Sequence, residues 1–264
     1  MSRLLTAVCL VAIGGGATAQ STRPSAAITA AVGSPDRTAA DRARDAYRHP
    51  AQTLAFFGVK PTDTVVEFIP GGGWYTEILA PMVRGKGRYV ALVPTSQNER
   101  TTKMLADKAA RFGPTTVATL DFTTGATTLA PGTADVIVTF RNVHNLLMQP
   151  NAAVPGNAFK AMFAGLKPGG TLGIVDHRLP ETMDTAREKT SGYIKRSTVV
   201  RLATAAGFRL AGESPINANP KDTHDHPEGV WTLPPSYRLK DVDRAKYAAI
   251  GESDRFTLRF VKPR

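Results

Sequence analysis

The chain has 264 residues, 42% hydrophobic and 21% charged, with 19 Pro and 23 Gly. That balance excludes disordered and fibrous architectures, and the length suffices to bury a core without disulfides or structural metals. The formal charge is +11, from 33 Lys and Arg against 22 Asp and Glu. The cations are scattered, with no long run and no interleaved aromatic ladder, which points to an anionic small-molecule substrate ahead of a nucleic acid.

Arg3 precedes an apolar run from Leu4 to Ile13, and small residues follow up to Ala17-Thr18-Ala19-Gln20. This is the pattern of a secretory signal over residues 1–19. The run is about half of the roughly 20 residues that span hydrocarbon, so a periplasmic or secreted protein without a membrane span is expected. Cys9, the one cysteine, falls inside the signal, leaving the processed chain with no thiol nucleophile or thiolate ligand. Residues 20–35, rich in Ser, Thr, Ala and Pro, read as a flexible leader, and residues 36–264 as a single domain. Asp36 is expected to cap a helix running to about Arg48, and Pro50 to open a second one ending at Gly58.

Strand and helix alternate after that. Thr64 to Ile69 is a β-branched run that stops at Pro70-Gly71-Gly72-Gly73, before an apolar-periodic helix from Trp74 to Val83. Further strands are expected at Arg88–Val93, Thr115–Thr119, Asp135–Phe140 and Thr171–Val175, with helices at about Asn98–Phe112 and Gly156–Leu166. Ser197 is expected to cap a helix ending at Gly207, followed by strands from Phe208 to Glu213 and from Phe256 to Val261. Unalternating apolar strands separated by helices predict an α/β fold with a mostly parallel sheet covered on both faces. Ligands of such sheets sit beyond the carboxyl ends of the strands.

The stretch Glu67-Phe68-Ile69-Pro70-Gly71-Gly72-Gly73 resembles the first motif of class I S-adenosylmethionine-dependent methyltransferases, and Leu166-Lys167-Pro168-Gly169-Gly170 the turn before their fifth strand. From Ala55 to Pro263 the chain resembles a group of exported bacterial predicted methyltransferases. The carrying segments are Pro70 to Pro81, Phe140 to Asn145, Val175 to Arg178, Ile216 to Asp222 and Gly251 to Arg255. The resemblance implies a Rossmann-like fold with a seven-stranded sheet and S-adenosylmethionine as cofactor. It implies cofactor contacts from Glu67, Pro70, Gly71, Gly72, Gly73, Asp121 and Phe122. The chain departs from the motif at two places: Ile69 stands where the first glycine is usual, and Leu92-Val93-Pro94 ends the second strand where a carboxylate usually accepts from the ribose hydroxyls.

Other strand ends carry chemistry. Arg141 and His144 follow the fourth strand, and His177 and Arg178 the fifth, so two imidazoles and two guanidinium groups are expected at one crevice. His144 and His177 suit a base, and Arg141 suits an anion. Tyr193 either covers the pocket or packs as an aromatic. An insertion at about 214–254 is long enough to cover something, and its His224-Asp225-His226, in an extended backbone, would put both rings on one side near Asp222; a solvated polar loop is the plainer reading, and no metal is assigned. Three functions stay open: a methyltransferase for a small or anionic acceptor, an exported hydrolase or lyase on the same fold, and a binding protein for an anionic metabolite.

Overall fold

The computed structural model describes residues 23–264; the expected signal segment and Cys9 lie outside the described residues. The strands are β1 (Thr64–Phe68), β2 (Arg88–Pro94), β3 (Thr115–Leu120), β4 (Ala134–Phe140), β5 (Leu166–Leu179), β6 (Ile194–Lys195), β7 (Arg209–Ser214) and β8 (Arg255–Val261). Seven of them form a sheet in the order β3-β2-β1-β4-β5-β8-β7, and β6 adds a two-residue pairing to the far end of β5. The first five strands of that order are parallel, and β8 runs antiparallel between β5 and β7.

The helices are α1 (Ala26–Val32), α2 (Ala39–Ala43), α3 (Asp45–Arg48), α4 (Pro50–Phe57), α5 (Thr76–Val83), α6 (Asn98–Ala106), α7 (Ala109–Phe112), α8 (Val143–Leu147), α9 (Val154–Gly165), α10 (Arg196–Ala205) and α11 (Arg244–Ile250). Alternate strand residues feed two apolar layers, as the pleat requires. Val66, Phe68 and Ile137 pack with Phe159 of α9 and Val199 of α10 on one face. Val65, Val136 and Val138 pack with Leu54 of α4 and Ile78 of α5 on the other. Among the described residues no helix is long and apolar enough to cross a membrane.

Several elements differ from the sequence expectations. Residues 26–32 of the expected leader are the helix α1, capped by Ser25 and burying Ile28 against the α5 layer. The cap after it is Thr38 and not Asp36, and the helix breaks at Arg44 into α2 and α3. Likewise the helix expected from Asn98 to Phe112 breaks between α6 and α7. Leu166 to Gly170 already belongs to β5, with a register irregularity opposite Ala134 and Val136. Ser197 does not cap α10; its backbone N–H and hydroxyl donate to Glu181.

Candidate functional site

The ends of β1, β4 and β5 open on a cavity of about 490 Å³. Two strand ends are turned in the left-handed backbone region: Ile69 after β1 (φ 56°) and Arg141 after β4 (φ 63°). A β-branched residue there is strained by about 1–3 kcal/mol, which explains why glycine suits position 69. Hydrogen bonds hold both bends. Ile69 N–H donates to the Leu92 carbonyl and Arg141 N–H to the Val175 carbonyl, while Asn142 Nδ2 donates to the Phe68 and Ile69 carbonyls at 3.0 Å each.

Of the residues predicted from sequence, Pro70, Gly71, Gly72, Arg141, His144 and His177 line this cavity. Glu67, Gly73, Asp121 and Phe122 do not. Glu67 is buried under the bend, where its Oε2 accepts from Thr76 Oγ1 and Tyr89 OH, both at 2.7 Å, and burial pushes its carboxyl up to about 7. Its work is to tie β1 to α5 and β2. A Cβ on Gly73 would lie 3.2 Å from Met104 Sδ, so this glycine faces α6. Asp121 caps its own turn, accepting from the Thr123 and Thr124 amides, which hold its carboxyl below the usual range. Phe122 packs on Phe68 in the core. Arg178, expected at the crevice, pairs instead with Asp254 at 2.9 Å.

Asp176, which lies within the Val175 to Arg178 segment and carries no role expected from the sequence, organises the imidazoles. It is fully buried, and its carboxylate accepts four hydrogen bonds: from the Val143, His144 and His177 amides at 2.7, 3.1 and 2.8 Å, and from His144 Nδ1 at 2.7 Å. An acceptor so used fixes the His144 proton on Nδ1 and leaves the Nε2 lone pair unbonded in a ring that lines the cavity. His177 is set the other way. Ser253 Oγ accepts from Arg255 Nε at 3.3 Å and lies 2.5 Å from His177 Nδ1, where a serine proton shared into that bond would place the imidazole hydrogen on Nε2. Burial, reinforced by His144, Arg255 and Arg141, holds the His177 ring well below the ordinary imidazole range, in its neutral form. The ring centroids are 5.0 Å apart. His144 thus offers an acceptor nitrogen to the cavity.

His144, Asp176 and His177 offer ligand atoms within 4.8 Å of one another. The Asp176 oxygens are already saturated by four donors, and Arg141 and Arg255 act on the His177 ring, so the arrangement reads as an Asp-His dyad rather than a cation centre. The insertion closes over the cavity with Val230, Trp231 and the Pro234-Pro235-Ser236 segment. His224 does not pair with His226 as an extended backbone would allow, because its φ is 66°. His226 Nε2 bonds Asp222 at 2.9 Å, and His224 Nε2 lies 3.3 Å from Asp254. Tyr193 is fully buried off the cavity, and its OH donates to Asp222.

No family model matches the chain, and no curated protein matches its sequence. Solved structures do. It is similar to an S-adenosylmethionine-dependent methyltransferase from Aquifex aeolicus (TM-score 0.55, 19% identity, 83% of this chain and 93% of that one). It is also similar to geranyl diphosphate methyltransferase in complex with S-adenosylmethionine (TM-score 0.53, 13% identity, 92% and 98%). A third neighbour is the 4+2-cyclase SpnF (TM-score 0.53, 16% identity, 85% and 81%). The chain therefore has the Rossmann-like fold of class I methyltransferases, and at these identities the likeness is one of fold.

Proposed function

We propose that the chain is an exported S-adenosylmethionine-dependent methyltransferase acting on a small, anionic acceptor. One observation carries the reading: the bend at Ile69–Gly72 and the imidazoles at the β4 and β5 ends line the same cavity, on a fold whose neighbours include a methyltransferase with its cofactor bound. The residues fit the methionyl side of that cofactor, since a Cβ added at Gly71 or Gly72 meets nothing within 4 Å and the loop backbone is open to close approach. Export is supported by the N-terminal pattern of residues 1–20, and a small acceptor by the cover that Trp231 and Pro235 give the cavity.

When bound, the cofactor supplies an electrophilic methyl group on a sulfonium centre. The chain's own residues handle protons and orientation. His144 Nε2 takes the proton of the acceptor, and Asp176 stabilises the imidazolium so formed. His177 Nε2–H donates to an acceptor oxygen, and Trp231 excludes water. Calorimetric titration of the protein with S-adenosylmethionine and S-adenosylhomocysteine tests the reading: saturable binding in the micromolar range is expected, and no heat at millimolar ligand removes it.

A second reading is favoured by the β2 end. Leu92, Val93 and Pro94 are buried there with no carboxylate for a ribose, and the cavity stops short of Asp121 and Phe122. In that reading the dyad performs proton abstraction on an anionic substrate without a cofactor, as a hydrolase or lyase. The same titration separates the two.

A further inference from the structure

Four arginines of the cavity wall surround one buried carboxylate. Glu252 accepts from Arg44 Nε at 2.7 Å and from Arg48 Nε at 3.0 Å, and it is paired with Arg255 Nη2. Arg141 is the fourth. Its guanidinium makes no hydrogen bond or ion pair with any described residue, although Arg255, Arg44 and Glu252 all act on it. Arg44, Arg48, Arg141 and Arg255 all line the cavity. Arg255 is spent on Glu252, Ser253 and the Tyr47 carbonyl. Arg48 is not: it is 2% exposed, its Cζ lies 4.5 Å from the Trp74 ring centroid, and its Nη1 and Nη2 are buried without a partner, as is Arg44 Nη2.

Buried guanidinium donors left unbonded are destabilising, and like charges crowded together add to that. The other carboxylates on the wall do not relieve them, since Asp41 accepts from Thr38, and Glu77 is paired with Lys108 and Arg111. Only an anion that uses several donors at once would do so. Planar guanidinium forks suit an oxyanion with two or more charged oxygens.

We infer that the free donors of Arg44, Arg48 and Arg141 form a seat for a doubly charged oxyanion, a phosphate group carried by a small molecule or free in solution. The seat belongs to the cavity walls and not to the cofactor loop. It therefore stands whether or not the methyl-transfer reading holds, and if that reading holds it names the acceptor as a phosphate ester. Burial and the neighbouring Arg255 push the Arg141 guanidinium down to about 10, as expected of a cation lacking its counter-ion.

The test is thermal unfolding of the full chain at neutral pH and fixed ionic strength, with chloride replaced stepwise by inorganic phosphate, phenyl phosphate, acetate or L-methionine, and no S-adenosylmethionine present. Inorganic phosphate and phenyl phosphate should raise the melting temperature saturably, while acetate and L-methionine should not. Arg141→Gln removes a side chain that bonds nothing in the protein. It should leave the ligand-free melting temperature unchanged or higher, and weaken phosphate by about tenfold or more. Lys103→Gln, on the exposed face of α6, should bind phosphate like the wild type. Equal affinity in Arg141→Gln, or equal stabilisation by acetate or L-methionine, would overturn the inference, as would a response linear in phosphate. Binding of phenyl phosphate in preference to inorganic phosphate marks an ester as the source of the anion. A failed titration with S-adenosylmethionine leaves every arm of this experiment intact.

Discussion

Two histidines on neighbouring strand ends differ in what each Nδ1 meets. His144 meets a carboxylate and His177 a serine hydroxyl. Nitrogen-15 spectra of the imidazoles above neutral pH should show His144 protonated on Nδ1 and His177 on Nε2; Asp176→Asn should scramble the His144 assignment and leave that of His177 in place. His177 has a second signature. Its folded-state affinity for protons is depressed, so the unfolded chain binds more protons below about pH 6.5 and stability falls as the pH drops through that range. Glu67 works with the opposite sign. Its carboxyl is raised from 4.5 to about 7, so its contribution is whole below the unfolded value and is lost as the pH climbs through about 7, by roughly 3 kcal/mol. Glu67→Gln should therefore gain on the wild type by about 1–3 kcal/mol between roughly pH 5 and pH 8, read from urea midpoints. Both histidines were legible as strand-end residues, and Arg141 with them. Asp176 was not, because the residue alternation that faces His177 one way on β5 gives no sign that its neighbour reaches the first turn of α8. Glu67 sits in the motif yet turns under the loop, toward Thr76 and Tyr89.

At the level of elements, the buried carboxylate of Asp222 gathers several parts of the insertion. Asp222 accepts from Tyr193 OH, His226 Nε2 and the His224 and Asp254 amides. Tyr193→Phe removes one of these partners and should cost about 1–2 kcal/mol; Asp222→Ala strands several buried donors and should cost about 3 kcal/mol or more. Urea unfolding followed by Trp fluorescence, with limited proteolysis of residues 215–254, measures both and should show the segment opening first in Asp222→Ala. Strand positions were readable from sequence to within a residue or two, because apolar runs ending in Gly or Pro leave few alternatives. Helix breaks at Arg44 and near Lys108 were not, since the polar pattern continues across each break. The basic cluster of Arg44 and Arg48 had no reading from the sequence beyond the helix expected to run to about Arg48. Its burial depends on Trp74 and Glu252, which are remote in sequence.

For the molecule as a whole, the helix α1 before Asp36 is part of the body. Arg37 is 1% exposed, donates to the Val32 carbonyl, and grips Asp45 with both terminal nitrogens at 2.7 and 2.8 Å. Deleting residues 23–35 should lower the melting temperature by several degrees, about 2–4 °C per kcal/mol for a chain of this size, whereas a loose tether would leave it unchanged. Serine and proline content suggested a leader, and the composition could not show that Ile28 fills a groove beside α5.

The bond between Arg48 and Glu252 joins residues 204 apart in sequence. During synthesis, the parallel strands β1 to β5 are complete well before Glu252 leaves the ribosome, whereas the arginine-lined wall needs both remote ends of the polypeptide. The nascent protein thus acquires its framework early and its arginine-lined wall last, so a product shortened by a dozen residues at the carboxyl end keeps Glu252 but loses all of β8, the strand that anchors it beside β5.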